Sequence, residues 1–494
     1  MTEDNDLDRN KKSMEVRMKK ERRTVSYYND YRKFGERTAF LDDRGQTVTY
    51  EELGNLSGKI GQGMKRRTLA FCLCENSVGS AAGYVSCLEH NVVPLLLDRK
   101  IDGQLLGHLL ELYQPAYLYV PSDMKERFSD FRILNEDYQY VLMRTKYPQE
   151  IVLYEELGLL LTTSGSTGSP KLVRQSYQNI QSNAESIACY LELDETERPV
   201  STLPMNYTYG LSVINSHMQV GATVLLTDAT MMMKAFWSFM KEQRATSIAG
   251  VPFTYEMLKK VRFFKMELPD LRYMTQAGGK LSPELHREFA EWALKQNKKF
   301  IVMYGQTEAT ARMSYLPAER SLEKYGSMGI AIPGGRFSLI DVEGNEFSRT
   351  EETGELVYEG DNVTLGYAQC REDLAKGDER HGRLVTGDMA KVDKDGFYYI
   401  VGRKKRFLKI FGNRVNLDEI DRLVKTKFEG IDCASTGVDD KMKTYITDRE
   451  CIEKVRQYLS NTTHLSESAF EVYYVPEIPK NDAGKTIYTM LEGE

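Results

Sequence analysis

The feature that most constrains this chain is the stretch Gly158-Leu-Leu-Leu-Thr-Thr-Ser-Gly-Ser-Thr-Gly-Ser-Pro-Lys171, an apolar strand-forming run that opens abruptly into small hydroxyl and glycine residues. From Thr163 onward Gly165 and Gly168 permit a tight turn and close backbone approach. Ser164, Ser166, Thr167 and Ser169 add hydroxyl donors, and Lys171 adds a positive charge. A buried strand feeding such a loop suits a polyphosphate. The loop is not of the GxxxxGK[ST] type, and Gly484-Lys485-Thr486 does not complete that pattern either, because Pro479 stands where its first glycine belongs.

Composition narrows the class further. In 494 residues, 41% are hydrophobic and 10% aromatic, enough to build large cores, and the formal charge of −6 gives no basic excess for nucleic acid. No apolar run approaches the ~18 residues of a membrane span, so membrane insertion is not expected. Residues 1–23 are dominated by charge and read as a polar flexible leader, not a signal peptide. Seven scattered cysteines and six histidines show no zinc-type spacing, and unpaired thiols predict a cytoplasmic protein.

From about Tyr28 to Val401 short β-branched runs alternate with helical periodicity, which predicts an α/β fold of layered subdomains. Ser282 and Pro283 should open a helix buried through Leu285, Phe289, Trp292 and Ala293, which feeds a strand over Phe300–Tyr304 that stops at Gly305. The residues just past such a strand lie where α/β folds bind ligands. After Ser338 the turn signals Glu343-Gly344-Asn345 and Lys394-Asp395-Gly396 predict hairpins of a β-rich subdomain. Beyond Gly402, Asn416 should cap a helix carrying Ile420, Leu423, Val424 and Phe428, with Glu419 completing a capping box. The expected organisation is a large domain over 24–401 and a small, mobile α+β domain over 402–494.

Six segments, in order, resemble the signatures of the AMP-forming adenylating superfamily, which includes acyl-CoA synthetases, peptide-synthetase adenylation domains and firefly luciferase. They are Thr162 to Lys171, Tyr304-Gly-Gln-Thr-Glu308, Gly354-Glu-Leu356, Thr386-Gly-Asp388, Gly402 to Lys409 followed by Gly412, and Pro479 to Lys485. Thr49-Tyr-Glu-Glu-Leu53 is similar to the family's usual entry. The resemblance implies a reaction in which a carboxylic acid attacks the α-phosphorus of ATP with Mg²⁺, and the acyl group then passes to a thiol, either CoA or phosphopantetheine.

By the same resemblance Lys485, Thr307, Glu308 and Lys171 are the catalytic candidates, Glu308 being the metal ligand. The nucleotide would be held by residues Thr163 to Gly168 of the loop and by Gly278, Gly279, Tyr304, Gly305 and Thr307, with Asp388 and Arg403 on the ribose. Leu203 to Leu211 resembles the substrate gate, so Tyr207, Thr208, Ala277, Gly279 and Gln306 should surround the acyl group. Lys405 falls at the hinge and Gly412 at the thiol channel. These residue types suit the chemistry: cations and fixed donors meet the charge that builds on phosphate oxygens, and a carboxylate accepts from ribose hydroxyls.

Two departures bear on the acceptor. Arg406 stands where acyl-CoA synthetases usually carry Asp after the pivot lysine, and the small domain is short between Asp440 and Asp448. Together with the basic stretch Arg403–Lys409 they raise the expectation of a separate acyl carrier protein as acceptor beside CoA. Thr208 occupies the gate position where amino-acid adenylating enzymes place an aspartate for the substrate ammonium, so a plain carboxylic acid is expected. The alternatives are a stand-alone amino-acid adenylation enzyme and a nucleotide-binding pseudoenzyme.

Overall fold

A computed structural model describes residues 26–162, 171–410, 413–463, 465–480 and 486–491. The leader, the loop residues Thr163 to Gly168, Gly412 and Lys485 lie outside the described residues. Packing divides the chain into two compact units, one of residues 1–336 and 358–384, the other of residues 337–357 and 385–494.

The first unit is built on two large mixed sheets. In one, the strands Thr38–Asp42, Val224–Leu226, Pro199–Val200, Ser247–Gly250, Tyr273–Gln276 and Lys299–Tyr304 run parallel side by side. In the other, Tyr117–Pro121, Leu69–Cys74, Val93–Asp98 and Leu157–Thr162 are parallel, and Leu172–Ser176 returns antiparallel beside the last. Strands such as Leu69–Cys74 are buried at every position, as expected of a sheet covered on both faces. The expected α/β class is therefore what the chain adopts.

Local signals operate as the sequence implies. Ser282 caps the helix Pro283–Lys295 by accepting from the Leu285 amide, and Phe289 and Ala293 are buried. His286 and Ala290 share that buried face, while Leu285 and Trp292 are only partly covered. Thr49 and Glu52 form a reciprocal capping box at the start of the helix Tyr50–Gly61.

The second unit holds most residues of a five-stranded sheet made from Arg336–Ile340, Glu346–Phe347, Gly354–Glu359, Arg383–Val392 and Tyr398–Arg403, followed by a two-stranded and a three-stranded sheet. Its hairpins turn at Gly344 and Gly396, both at positive φ. Asn416 caps the helix Leu417–Lys427 by accepting from the Asp418 amide, and Ile420 and Val424 enter a core with Leu408, Ile410, Val455 and Leu459. One detail differs from expectation: Glu419 does not complete a capping box, because its carboxylate turns to Arg422 one helical turn on.

Candidate active site

The described flanks of the Ser/Gly loop fix where it starts and ends. Thr162 pairs directly with Leu172 across an antiparallel hairpin, and Leu160 and Leu161 are tied to the buried strand Val93–Asp98. Lys171, first residue of the returning arm, sets its ammonium 5.7 Å from the ring centre of Tyr367. Tyr367 lies on the strand Gly366–Ala368, paired with Val173.

Tyr367 connects the loop to the second motif. Its hydroxyl donates to Glu308 Oε1 at 2.7 Å, and the Arg380 guanidinium lies 4.7 Å from its ring centre. Burial and the Glu308 carboxylate push the Tyr367 hydroxyl up to about 12, so it remains a proton donor at neutral pH. The Glu308 backbone carbonyl accepts from Arg380 Nη1 at 3.1 Å and from both the amide and the hydroxyl of Thr364 at 3.0 Å. Thus three donors converge on the Glu308 carbonyl oxygen. Its carboxylate receives a neutral donor and pairs with no lysine or arginine among the described residues.

The chain around Glu308 is tightly folded. After the strand Lys299–Tyr304, the short 3-10 turn Thr307–Ala309 leads to Thr310 and Ala311 at φ 57° and 120°. The second is a conformation that L side chains rarely adopt, and such strain costs of order 1–3 kcal/mol and gathers at functional sites. The loop closes on itself, with the Met313 amide donating to the Tyr304 carbonyl at 2.9 Å. Gly305 is required here, since a Cβ would meet the Ala311 carbonyl oxygen at 1.6 Å.

The other predicted residues of this unit converge on neighbouring segments. Gly278 has φ 82°, and a side chain there would strike the Tyr207 hydroxyl at 2.8 Å. The backbone from Ala277 to Gly279 is held by the buried Gln276, whose Nε2 donates to the Ala277 and Gly279 carbonyls at 3.2 and 2.9 Å. Gln306 Nε2 donates to the Tyr304 hydroxyl at 3.1 Å. Tyr207 precedes the helix Thr208–Gln219 and Thr208 is buried at its first position. In the second unit Asp388 is buried and faces Arg403 across a strand pair, their side chains joined at 2.8 Å. Lys405 is exposed in the turn Lys404–Arg406.

A magnesium ion bound with a nucleotide fits this arrangement. No cluster of three or more His, Cys, Asp or Glu side chains with metal-site spacing exists among the described residues. Mg²⁺ is commonly bound by one or two carboxylates together with phosphate oxygens and water, and Glu308 offers a carboxylate that pairs with no lysine or arginine among the described residues.

Sequence reasoning missed several residues that organise the site. Arg174 is completely buried and donates to the carbonyls of Leu365, Tyr367, Lys376 and Gly377 and to the Glu379 carboxylate, which pins the Tyr367 strand in place. Tyr367 and Arg380 were not among the candidates, and nothing in their immediate neighbours marks them. Glu355 of the Gly354-Glu-Leu356 motif pairs with Lys404 at 2.6 Å, which gives that motif a structural task in the second unit.

Comparison with known proteins follows the same lines. Residues 28–368 match the family model described as AMP-binding enzyme. The chain is 29% identical over 453 residues to the 2-succinylbenzoate–CoA ligase of Bacillus pumilus, covering 88% of this chain and 90% of that one. Peroxisomal OPC-8:0-CoA ligase 1 of Arabidopsis thaliana is 26% identical over 489 residues, covering 91% and 89%. Among solved structures, o-succinylbenzoate CoA synthetase from Bacillus subtilis with its acyl-adenylate intermediate superposes with a TM-score of 0.77 at 20% identity, over 95% of this chain and 98% of that one, a likeness of fold.

Proposed function

We propose, from the premise that the chain belongs to the AMP-binding enzyme family, that it is an AMP-forming acid–CoA ligase. It joins a carboxylic acid to ATP as an acyl-adenylate with release of pyrophosphate, then passes the acyl group to the CoA thiol. The observation that carries this reading is the Lys171–Tyr367–Glu308 constellation, in which a lysine at the end of the phosphate loop and a carboxylate paired with no lysine or arginine among the described residues share one half-buried tyrosine. Lys171 meets phosphate charge, Thr307 donates to the α-phosphate, and Tyr304 offers a flat face to adenine. Glu308 would hold Mg²⁺, which supplies charge neutralisation on the phosphate oxygens. Asp388 and Arg403 are assigned to the ribose and Lys485 to the reacting carboxylate and α-phosphate. Tyr207, Thr208, Ala277, Gly279 and Gln306 are assigned to the acyl group, and a functional boundary at residue 402 with Lys405 as pivot belongs to the same reading.

CoA is favoured over a carrier protein as acceptor. The curated relatives above are CoA ligases by name. The basic stretch expected to attract an acidic carrier is largely neutralised within its own unit: Arg403 pairs with Asp388, Lys404 with Glu355, and Arg406 with Asp418 and Asp421. A cytoplasmic setting accords with seven unpaired cysteines, and no helix among the described residues is long and apolar enough to cross a membrane.

The test is pyrophosphate release from ATP across a panel of carboxylic acids, followed by thioester formation with CoA. Silence with every acid, or release that never leads to an acyl-CoA, would overturn the reading. Within it, Tyr367→Phe should raise the Mg²⁺ concentration for half-maximal pyrophosphate release about 10-fold, because removing a hydrogen bond behind a metal ligand costs about 10- to 100-fold in metal affinity. An unchanged Mg²⁺ profile would show that the hydroxyl serves packing alone.

A further inference from the structure

The tight turn after Glu308 sends Arg312 to different neighbours. Glu308 is surrounded by Tyr367, Thr364 and Arg380, whereas the Arg312 side chain sits among Tyr190, Met303 and Tyr209 and is 3% exposed. Its Nη1 donates to the Tyr190 hydroxyl and to the Met303 sulfur, both at 3.1 Å, and its Cζ lies 4.6 Å from the ring centre of Tyr209. Its Nε is buried with no hydrogen-bond partner.

The side chains that bond or stack on this cation, Tyr190, Met303 and Tyr209, are neutral. No carboxylate pairs with it among the described residues. Burial pushes the Tyr190 and Tyr209 hydroxyls up, that of Tyr209 to about 12, so neither supplies a phenolate at neutral pH. His217, whose ring bonds Tyr273, is pushed down to about 3 by burial. A buried guanidinium without a counter-charge is costly even after relaxation, and the face of Tyr209 returns only part of that cost. An anion brought by a ligand would complete the balance and satisfy Nε.

The position indicates which ligand. Tyr209 belongs to the gate segment, next but one to Tyr207, and its hydroxyl donates to Thr275 Oγ1 at 2.9 Å, two residues before Ala277. Arg312 therefore stands behind the acyl-binding segments and shares no side-chain partner with Glu308. We propose that Arg312 is a specificity-determining residue that recognises a second carboxylate on the substrate, so that the preferred acid is a dicarboxylic acid activated at the carboxyl remote from Arg312. This rests on the reading of the chain as an acid-adenylating enzyme.

The test uses the full chain and a set of 5′-O-(N-acylsulfamoyl)adenosines, stable mimics of acyl-adenylates. Each aliphatic or aromatic acyl group ending in a carboxylate is paired with the analogue ending in a methyl group. Calorimetry should find at least one carboxylate-ended member bound about 10- to 100-fold more tightly than its methyl partner, the range for a hydrogen bond to a charged group. Arg312→Met should abolish or reverse that preference while binding methyl-ended members as before, and Arg312→Lys should retain part of it. Because Met removes a buried charge and fills similar volume, the variant should melt no lower than the parent. Tight binding of methyl-ended members with no carboxylate preference in the parent, or a preference unchanged in Arg312→Met, would overturn the inference and leave the adenylation reading standing. Failure of every member to bind would overturn both.

Discussion

Replacing Lys485 with alanine is expected to slow acyl-adenylate formation by about 10²–10³-fold while leaving thioester formation from a pre-made acyl-adenylate nearly unchanged. The magnitude is that of removing one preorganised donor from a developing oxyanion. The asymmetry follows if the lysine engages the nucleotide only during the first half-reaction and the small domain expected beyond residue 402 then rotates about Lys405. Lys405→Pro should do the opposite. Fixing φ near −65° in the turn Lys404–Arg406 removes no group needed for adenylation but hinders the change of backbone conformation that rotation requires. Each variant is measured in both half-reactions, by pyrophosphate release with acid and by CoA consumption with synthetic acyl-adenylate. Equal loss of both steps in Lys485→Ala, with folding intact, would mean that the lysine is structural and that no domain alternation operates.

What was legible in the sequence was local. The Ser282 cap, the Asn416 cap and the glycine turns at Gly344 and Gly396 each depend on residues within a few positions of one another, and a spacing rule reads them directly. Tyr304, Thr307 and Glu308 were legible for a related reason, as the short segment at the end of a buried parallel strand. The supports of the site were not. Arg174 reaches the Lys376 carbonyl across 202 positions and Tyr367 reaches Glu308 across 59. Neither pairing leaves a trace in the residues beside it. Arg312 was missed for an additional reason: an arginine in a polar stretch reads as a solvated charge, and only the packing of Tyr190 and Tyr209 around it reveals that it is desolvated. Where a local rule failed, as with Glu419, a competing ion pair one turn away took the side chain.

Arg406, the departure that bore on the choice of acceptor, has its own expected result. Arg406→Ala should destabilise the second unit by about 3–5 kcal/mol at pH 7, the cost of leaving a buried charge without its partner. Its guanidinium is 12% exposed, pairs with Asp418 at 2.8 Å and Asp421 at 2.7 Å, donates to the Ser435 carbonyl, and lies 4.1 Å from the ring centre of Tyr488. Burial is the larger influence on Asp421 and holds its carboxyl up at about 6 from an ordinary 3.8, even with Arg406 opposing it. A carboxyl raised in the folded state stabilises fully below its unfolded value and loses that contribution as pH rises through the folded one. Without Arg406 the folded value climbs further, so the variant should lose more stability at pH 7 than at pH 4, and adding Asp421→Asn should recover part of the loss at pH 7. Urea denaturation of the full chain at both pH values, followed by tyrosine absorbance, measures this. A loss below about 1 kcal/mol that is independent of pH would mean that water replaces the guanidinium, and that Arg406 is free to serve a docking partner after all.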